Sequence, residues 1–335
     1  MELPAPHAGR AGVTARHLIT AAGQCSDVSV DEVRRRLKAN EIGWWLDIEG
    51  PEQADYDLLL DAFGFHPLTV ADVRQRNQRP KLDEFPGYKF AVLFAAELED
   101  DEDIAIREHH LFLTHRWFVT VHNEPAPAVT DVRRRVEEDP SVTRNDLVFL
   151  QYLVISAVVD SLFPTLDKLD DVTDRLQDVV LERPTPAALA HLTGLKHSVA
   201  ELRRALGPQR DVFQRLLSHS LEHSEGDLQL YWRDVYEDLI RQYEEADALR
   251  DLLTGAMDVY LSTVSNRLNN TMMQLTVIAS VFLPLTFLTG FFGMNFGYLV
   301  THITGPPAFL GGVGIMVATM VMQLVLFWRR GWLFR

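Results

Sequence analysis

The pattern of apolar and polar positions changes character twice along this chain. Up to about residue 140, short apolar runs alternate with charged and turn-forming residues. Lys89–Phe94, His110–Thr114 and Trp117–His122 read as β-strands, and Val30–Asn40 and Ala128–Glu138 as helices with mixed charge on the outer face. From Arg144 onward the apolar residues follow helical spacing over long stretches. Helices are expected over Asp146–Glu182 with a break at Pro164, over Ala187–Leu206 and over Asp211–Leu221, with Pro184, Pro186 and Pro208 as boundaries. Between Asp227 and Leu283 there is no proline and one glycine, Gly255, so a single helix of 57 residues is predicted.

The second change is sharper. From Leu268 to Trp328, 61 residues contain no Asp, Glu, Lys or Arg. About 20 apolar residues cross a bilayer, so the run divides into two spans, Met272–Phe292 and Ala308–Trp328. The turn-forming stretch from Gly293 to Pro307 makes an external loop. Arg267 precedes the first span and Arg329, Arg330 and Arg335 follow the second, whereas the loop has no Lys or Arg; both chain ends are therefore expected in the cytoplasm. A buried helical hairpin of a soluble enzyme is the competing reading, disfavoured by the length of the uncharged run. The N-terminus, Met1–Pro6, lacks the apolar core of a signal peptide.

Charge sharpens this division. The net charge is −15 over 335 residues, and because the segment from Arg267 holds four arginines and no acid, residues 1–266 carry −19. An acidic chain without clustered bases is a poor nucleic-acid binder. One cysteine, Cys25, excludes a disulfide framework. No phosphate-binding Gly-rich loop is present. His109, His110 and Cys25 belong to no recognisable nucleophile or metal-ligand set, since adjacent strand residues face opposite ways; an enzyme is not expected.

Along the long helix a stripe spaced mostly by threes and fours, Asp258, Ser265, Asn269, Met272, Thr276, Ala279, Leu283, Thr286 and Gly290, is polar, small or flexible along most of its length, beside bulky Val277, Phe282, Leu285, Phe287 and Phe291. Such a stripe either lines a polar path or packs helix on helix. Two spans cannot enclose a path alone, so the first reading requires an oligomer. On the cytoplasmic side Asp167, Asp170, Asp171, Asp174 and Asp178 share a helix face, and Glu99–Asp103 form a second acidic cluster. Each is either a solvated face or a cation site.

At the end of the first span stands Gly293-Met294-Asn295, preceded by Tyr260–Met272, Leu275-Thr276 and Pro284–Phe287. Together with His66-Pro67-Leu68, Gln78–Lys81, Leu181–Pro184 and Tyr231–Tyr236, this order resembles the CorA family of magnesium transporters, from about residue 40 to the C-terminus.

The resemblance implies an α+β cytoplasmic domain with long helices that continue into a two-span transmembrane hairpin, assembled as a homopentameric funnel. The corresponding division of the chain is a cytoplasmic α/β domain (1–140), a cytoplasmic helical region (141–225), a stalk helix running into the first span (226–292), an external loop (293–307), a second span (308–328) and a cytoplasmic tail (329–335). It further implies transport of divalent cations, foremost Mg²⁺ and also Co²⁺ and Ni²⁺, across the cell membrane, driven by the membrane potential and gated by cytoplasmic Mg²⁺. Mg²⁺ is both cargo and regulator, with no organic cofactor; the other partners are further copies of the chain and membrane lipid. Carried over by position, Gly293, Met294 and Asn295 match the selectivity motif. Asn269, Met272, Leu275, Leu283, Thr286 and Gly290 match the pore and its constriction, Asp258 an acidic ring below it, and Asp234 part of a regulatory ion site between subunits.

Two departures stand out. The residues from Gly297 to Phe309 carry no acid, offering only His302, and the basic tail is short. Neutral groups nonetheless suit Mg²⁺, which sheds water reluctantly; a ring of amide oxygens grips its hydration shell and still releases it. A zinc transporter on the same scaffold, disfavoured by Met294, and a membrane-anchored scaffold without transport are the alternatives.

Overall fold

The computed structural model describes residues 14–75, 78–98, 104–223, 226–295, 297–302 and 305–332. The acidic cluster Glu99–Asp103 and the terminal Arg335 lie outside the described residues.

Among the described residues, seven strands form one sheet: β1 (Ala15–Thr20), β2 (Cys25–Asp27), β3 (Trp44–Glu49), β4 (Lys81–Phe85), β5 (Tyr88–Leu98), β6 (Ile104–Leu113) and β7 (Trp117–His122). Their order is β2-β1-β3-β7-β6-β5-β4, and only β3 and β7 pair in parallel. Alternation in β3 sends Trp44, Leu46 and Ile48 to one face and Trp45 and Asp47 to the other. On the first face lie α1 (Val30–Lys38), α2 (Gln53–Asp57) with the π-turn Leu58–Ala62, and α3 (Pro67–Arg74), whose Val33, Leu58, Leu59, Val70 and Val73 complete a core with Phe90, Phe112 and Val119. Burying each such side chain contributes about 1.5–3 kcal/mol.

The helices α4 (Pro127–Glu138), α5 (Leu147–Asp160) and α7 (Pro186–His223) contact the sheet elsewhere, α4 at β2, α5 at β5 and α7 at β4 to β6. The β1–β2 turn depends on Gly23: its φ is +79°, and a Cβ there would lie 2.4 Å from the Cβ of Pro140.

Several expectations shift at prolines. The break foreseen at Pro164 falls at Ser161 instead, between α5 and α6 (Leu162–Glu182). Pro164 sits in the first turn of α6, where its missing N–H deprives no helical carbonyl. The two helices expected on either side of Pro208 are one, α7, with the proline inside. The helix α8 (Gly226–Phe292) likewise passes Pro284, reaching 67 residues. Within the stretch read as external loop lies a short helix, α9 (Gly297–His302), and α10 covers Pro306–Arg329.

The chain divides into two compact units, residues 1–179 with 185–256, and residues 180–184 with 257–335. Among the described residues, three stretches are apolar and long enough to cross a membrane, Leu147–Glu182, Gln229–Phe292 and Pro306–Arg329. In the first, half of the most apolar window is buried inside the chain, against 11% and 0% in the others. That burial explains why α5 is apolar on every side: it is a core helix of the first unit. The two spans expected from the uncharged run are the stretches left uncovered.

Candidate functional site

Within the apolar unit, α8 has one shaded face. Met273, Val277, Ser280, Val281, Pro284 and Leu288 are partly or fully covered, at spacings of three and four. On α10 the shaded positions are Ala308, Gly312, Met316, Thr319, Gln323 and Phe327, again on one face. At 100° per residue the stripe Asn269, Met272, Leu283, Thr286 and Gly290 lies about 130° around α8 from its shaded face. It is uncovered: Met272 is 61% and Leu283 69% exposed, and Asp258, Asn269, Leu275, Thr286 and Gly290 are exposed as well.

Two hydroxyls on this stripe are already committed as donors. Thr276 donates to the carbonyl of Met272 at 2.7 Å, and Thr286 to that of Phe282 at 2.9 Å. Their oxygens keep lone pairs for another partner. A row of acceptors with satisfied donors suits a cation or its water shell better than an anion.

The motif closes the helix. Gly293 N–H donates to Thr289 O at 2.9 Å and Met294 N–H to Phe291 O at 3.3 Å. A Cβ at Gly293 would stand 3.0 Å from Thr289 O, which favours glycine where the chain leaves α8. Asn295 is exposed just beyond that end.

Asp234 lies on α8 within the first unit, 35 positions before Asn269. Its Oδ2 accepts a 2.6 Å hydrogen bond from the Tyr152 hydroxyl of α5. Tyr152 also stacks on Tyr231, centroids 4.7 Å apart. Burial, then the bond to Asp234, pushes the Tyr152 phenol up to about 12, so it remains a donor at neutral pH.

Acids that the sequence reading kept apart meet here. Burial pushes the Asp160 carboxyl above its ordinary value, and the charges of Asp238 and Asp234 push it further. One step along, Glu245 is raised by burial and by Asp167 and Asp170 of α6, while Asp170 is raised by burial and by Asp174, Asp171 and Asp167. Asp167 and Asp170 of α6 thus lie within electrostatic reach of Glu245, and Asp160 within reach of Asp234 and Asp238, with Arg241 paired to Asp238 and lying over the Phe163 ring at 4.9 Å. Sequence reasoning missed Tyr152, Asp160 and Asp238. The Asp234–Asp238 spacing of four was the available signal; Tyr152 and Asp160 needed the packing of α5 against α8. Among the described residues no three His, Cys, Asp or Glu side chains converge to hold a metal ion within one chain.

The histidines serve the sheet. Trp45 Nε1 donates to Thr120 Oγ1 at 2.8 Å, Thr120 donates to Asp47 Oδ1 at 2.6 Å, and His122 Nε2 stands 3.2 Å from the same oxygen. Burial raises Asp47, yet the charge and hydrogen bond of His122 bring it below its ordinary value. Cys25 is a thiol, pushed up to about 11 by burial.

An α/β unit joined through one long helix to an uncharged, uncovered helical hairpin defines an integral membrane protein, with the stripe and motif above on its first span. The sequence profile described as CorA-like Mg²⁺ transporter protein matches residues 40–330. The cobalt/magnesium transport protein CorA of Thermotoga maritima is 33% identical over 86% of this chain and 83% of its own. In structure, CorA of Methanocaldococcus jannaschii superposes with a TM-score of 0.80 at 20% identity, covering 96% of this chain and 99% of that one. The full-length CmaX protein gives 0.74 at 22% identity, covering 97% and 99%. The chain belongs to the CorA-like Mg²⁺ transporter family, a family of transporters rather than enzymes.

Proposed function

We propose that the protein conducts divalent cations, Mg²⁺ foremost and Co²⁺ and Ni²⁺ besides, into the cell through a path lined by five copies of the α8 stripe. The observation that carries this reading is the stripe itself: amide, hydroxyl and glycine positions interspersed with Met272, Leu275 and Leu283, uncovered along the uncharged part of α8 that ends at Gly293-Met294-Asn295. Asn269, Met272, Leu275, Leu283, Thr286 and Gly290 line the path, Asp258 gives an acidic ring, and the motif selects the hydrated ion. Two charges crossing 100 mV release about 4.6 kcal/mol, so no nucleotide is needed. Arg267, Arg329 and Arg330 support a cytoplasmic location for both chain ends in the cell membrane. Cobalt and magnesium in the names of relatives support the cargo. Asp234, with Asp160 and Asp238 beside it, supplies a cytoplasmic ion sensor completed by a neighbouring subunit.

The test is flux into liposomes. Asn295→Ala should abolish Mg²⁺ entry while leaving the oligomer intact, and an exchange-inert hexaammine cation should block the parent competitively. Unimpaired flux in Asn295→Ala would refute the role of the motif.

A further inference from the structure

A cavity of about 890 Å³ in the first unit opens between the end of β5 and β6, the segment before β4, and α7. Its lining includes Arg79 of the Gln78-Arg79-Pro80-Lys81 stretch and Arg204 of α7, two elements 125 positions apart in sequence. Acids outnumber bases 47 to 32 in this chain, and Lys81, Arg107, Arg203 and Arg241 all hold carboxylates. Arg79 and Arg204 do not: among the described residues neither has an ion-pair or hydrogen-bond partner. Two carboxylates also line the cavity, and each has another partner: Glu108 accepts from the Gln78 backbone N–H at 3.0 Å, and Glu201 stands 3.3 Å from His197. Two guanidiniums that are paired with neither of these carboxylates match a phosphate, which takes Arg in paired hydrogen bonds. Beside them Phe94 and Ile106 offer an apolar wall, and the volume is that of a small-molecule site.

We infer that this cavity binds a small organic phosphate, its phosphates held by Arg79 and Arg204 and its flat body laid against Phe94 and Ile106. The site lies within the first unit and does not depend on the transport reading.

Calorimetric titration of the full-length protein in detergent, in chelator to remove divalent cations, tests it with three probes: inorganic phosphate, pyrophosphate and ADP. ADP should bind most tightly and inorganic phosphate most weakly. Arg79→Gln and Arg204→Gln should each weaken ADP binding by about tenfold, with Arg79→Lys intermediate because lysine keeps the charge without the fork. Arg210→Gln, whose side chain lies over the Tyr243 ring, should bind as the parent does. Melting curves matching the parent would establish that the variants fold; should the glutamine variants fail to fold, Arg79→Lys and Arg204→Lys carry the same test. Absence of ADP binding to the parent overturns the proposal. So does equal affinity for ADP and pyrophosphate, or parental affinity in the doubly substituted protein.

Discussion

Tyr152 and Asp234, 82 positions apart, meet at 2.6 Å where α5 packs against α8, the hydroxyl donating to Oδ2. The bond fixes one oxygen of the carboxylate and leaves Oδ1 for another partner. If Asp234 holds the proposed sensor ion, Tyr152→Phe should release the side chain and lower its affinity for Mg²⁺ by roughly two- to tenfold, the worth of one hydrogen bond. The inhibition of flux by internal Mg²⁺ would shift accordingly. Phenolate absorbance provides an independent reading. Tyr152 is pushed up to about 12 by burial and then by Asp234, so its hydrogen bond stabilises the fold fully below the ordinary pKa near 10 and is lost as pH rises through the raised value. In Asp234→Ala this late titration should move toward 10; if it does not, the bond is absent in solution.

His109 and His110 make a different pH dependence. Burial pushes His109 down to about 3 and His110 to about 4. Between the ordinary value near 6.5 and these, the unfolded chain takes up protons that the folded sheet refuses. Stability is therefore present above about 6.5 and falls with pH, by up to about 1.4 kcal/mol per histidine per pH unit. His122 works oppositely: although burial lowers it, Asp47 raises it overall, and its contribution is lost as pH rises through its own pKa. Tryptophan-monitored unfolding at about pH 6 and pH 5 should show the loss, and His109→Gln should cut the slope by about half. An unchanged slope in His109→Gln would place the titration elsewhere.

What the sequence disclosed follows from the range over which its signals act. The uncharged run and the proline-free stretch are local, so the hairpin and most of α8 were legible. The strand β7 was found with its full span because Trp117–His122 is a continuous β-rich run. Strand β3 was not, since Asp47 interrupts Trp44–Glu49; its pairing with Thr120, His122 and Arg133 makes that buried acid tolerable there. Strand β4 was hidden for the opposite reason, its Lys81, Asp83 and Glu84 being the charges expected at a sheet edge. Pro208 was read as a boundary because local rules treat proline as a breaker. In the fold, Gln209 next to it accepts from Phe94 N–H at 2.5 Å and donates to Phe94 O at 3.2 Å, anchoring α7 to β5 at that point. The acidic face could not be seen whole, because Asp160 and Asp234 become neighbours only through packing.

Gly290 offers a test of assembly. A Cβ built there meets nothing within 4 Å, so a single chain has room for a larger residue. If the stripe faces its symmetry copies around a path, five leucines would fill it. Gly290→Leu should keep the parental mass and melting curve in detergent and lose Mg²⁺ flux. Mass measurement showing a monomer or dimer as the conducting species would sink the pentameric reading, and undiminished flux in Gly290→Leu would move the path off this stripe.

The gating proposal joins Asp234 to that path through one helix. Asp234 and Gly290 both belong to α8, 56 positions apart, so influence between them passes along continuous backbone. The chain up to residue 266 carries −19, and the structure gathers part of this charge at the end of α5 and along α6 and α8, where Asp160, Asp170 and Glu245 are raised by burial and further by acidic neighbours. Under this proposal, cations bridging such faces between subunits would relieve that repulsion, and their loss would favour whatever arrangement separates the acids. The ion shifts the population by its differential affinity for the two arrangements. Asp234→Ala should weaken inhibition of flux by internal Mg²⁺ and reduce the protection that Mg²⁺ gives α8 against proteolysis, and Asp238→Asn should do so to a lesser degree. If the inhibition curve and the protection of Asp234→Ala both match the parent, Asp234 is part of a solvated acidic face and carries no sensing role.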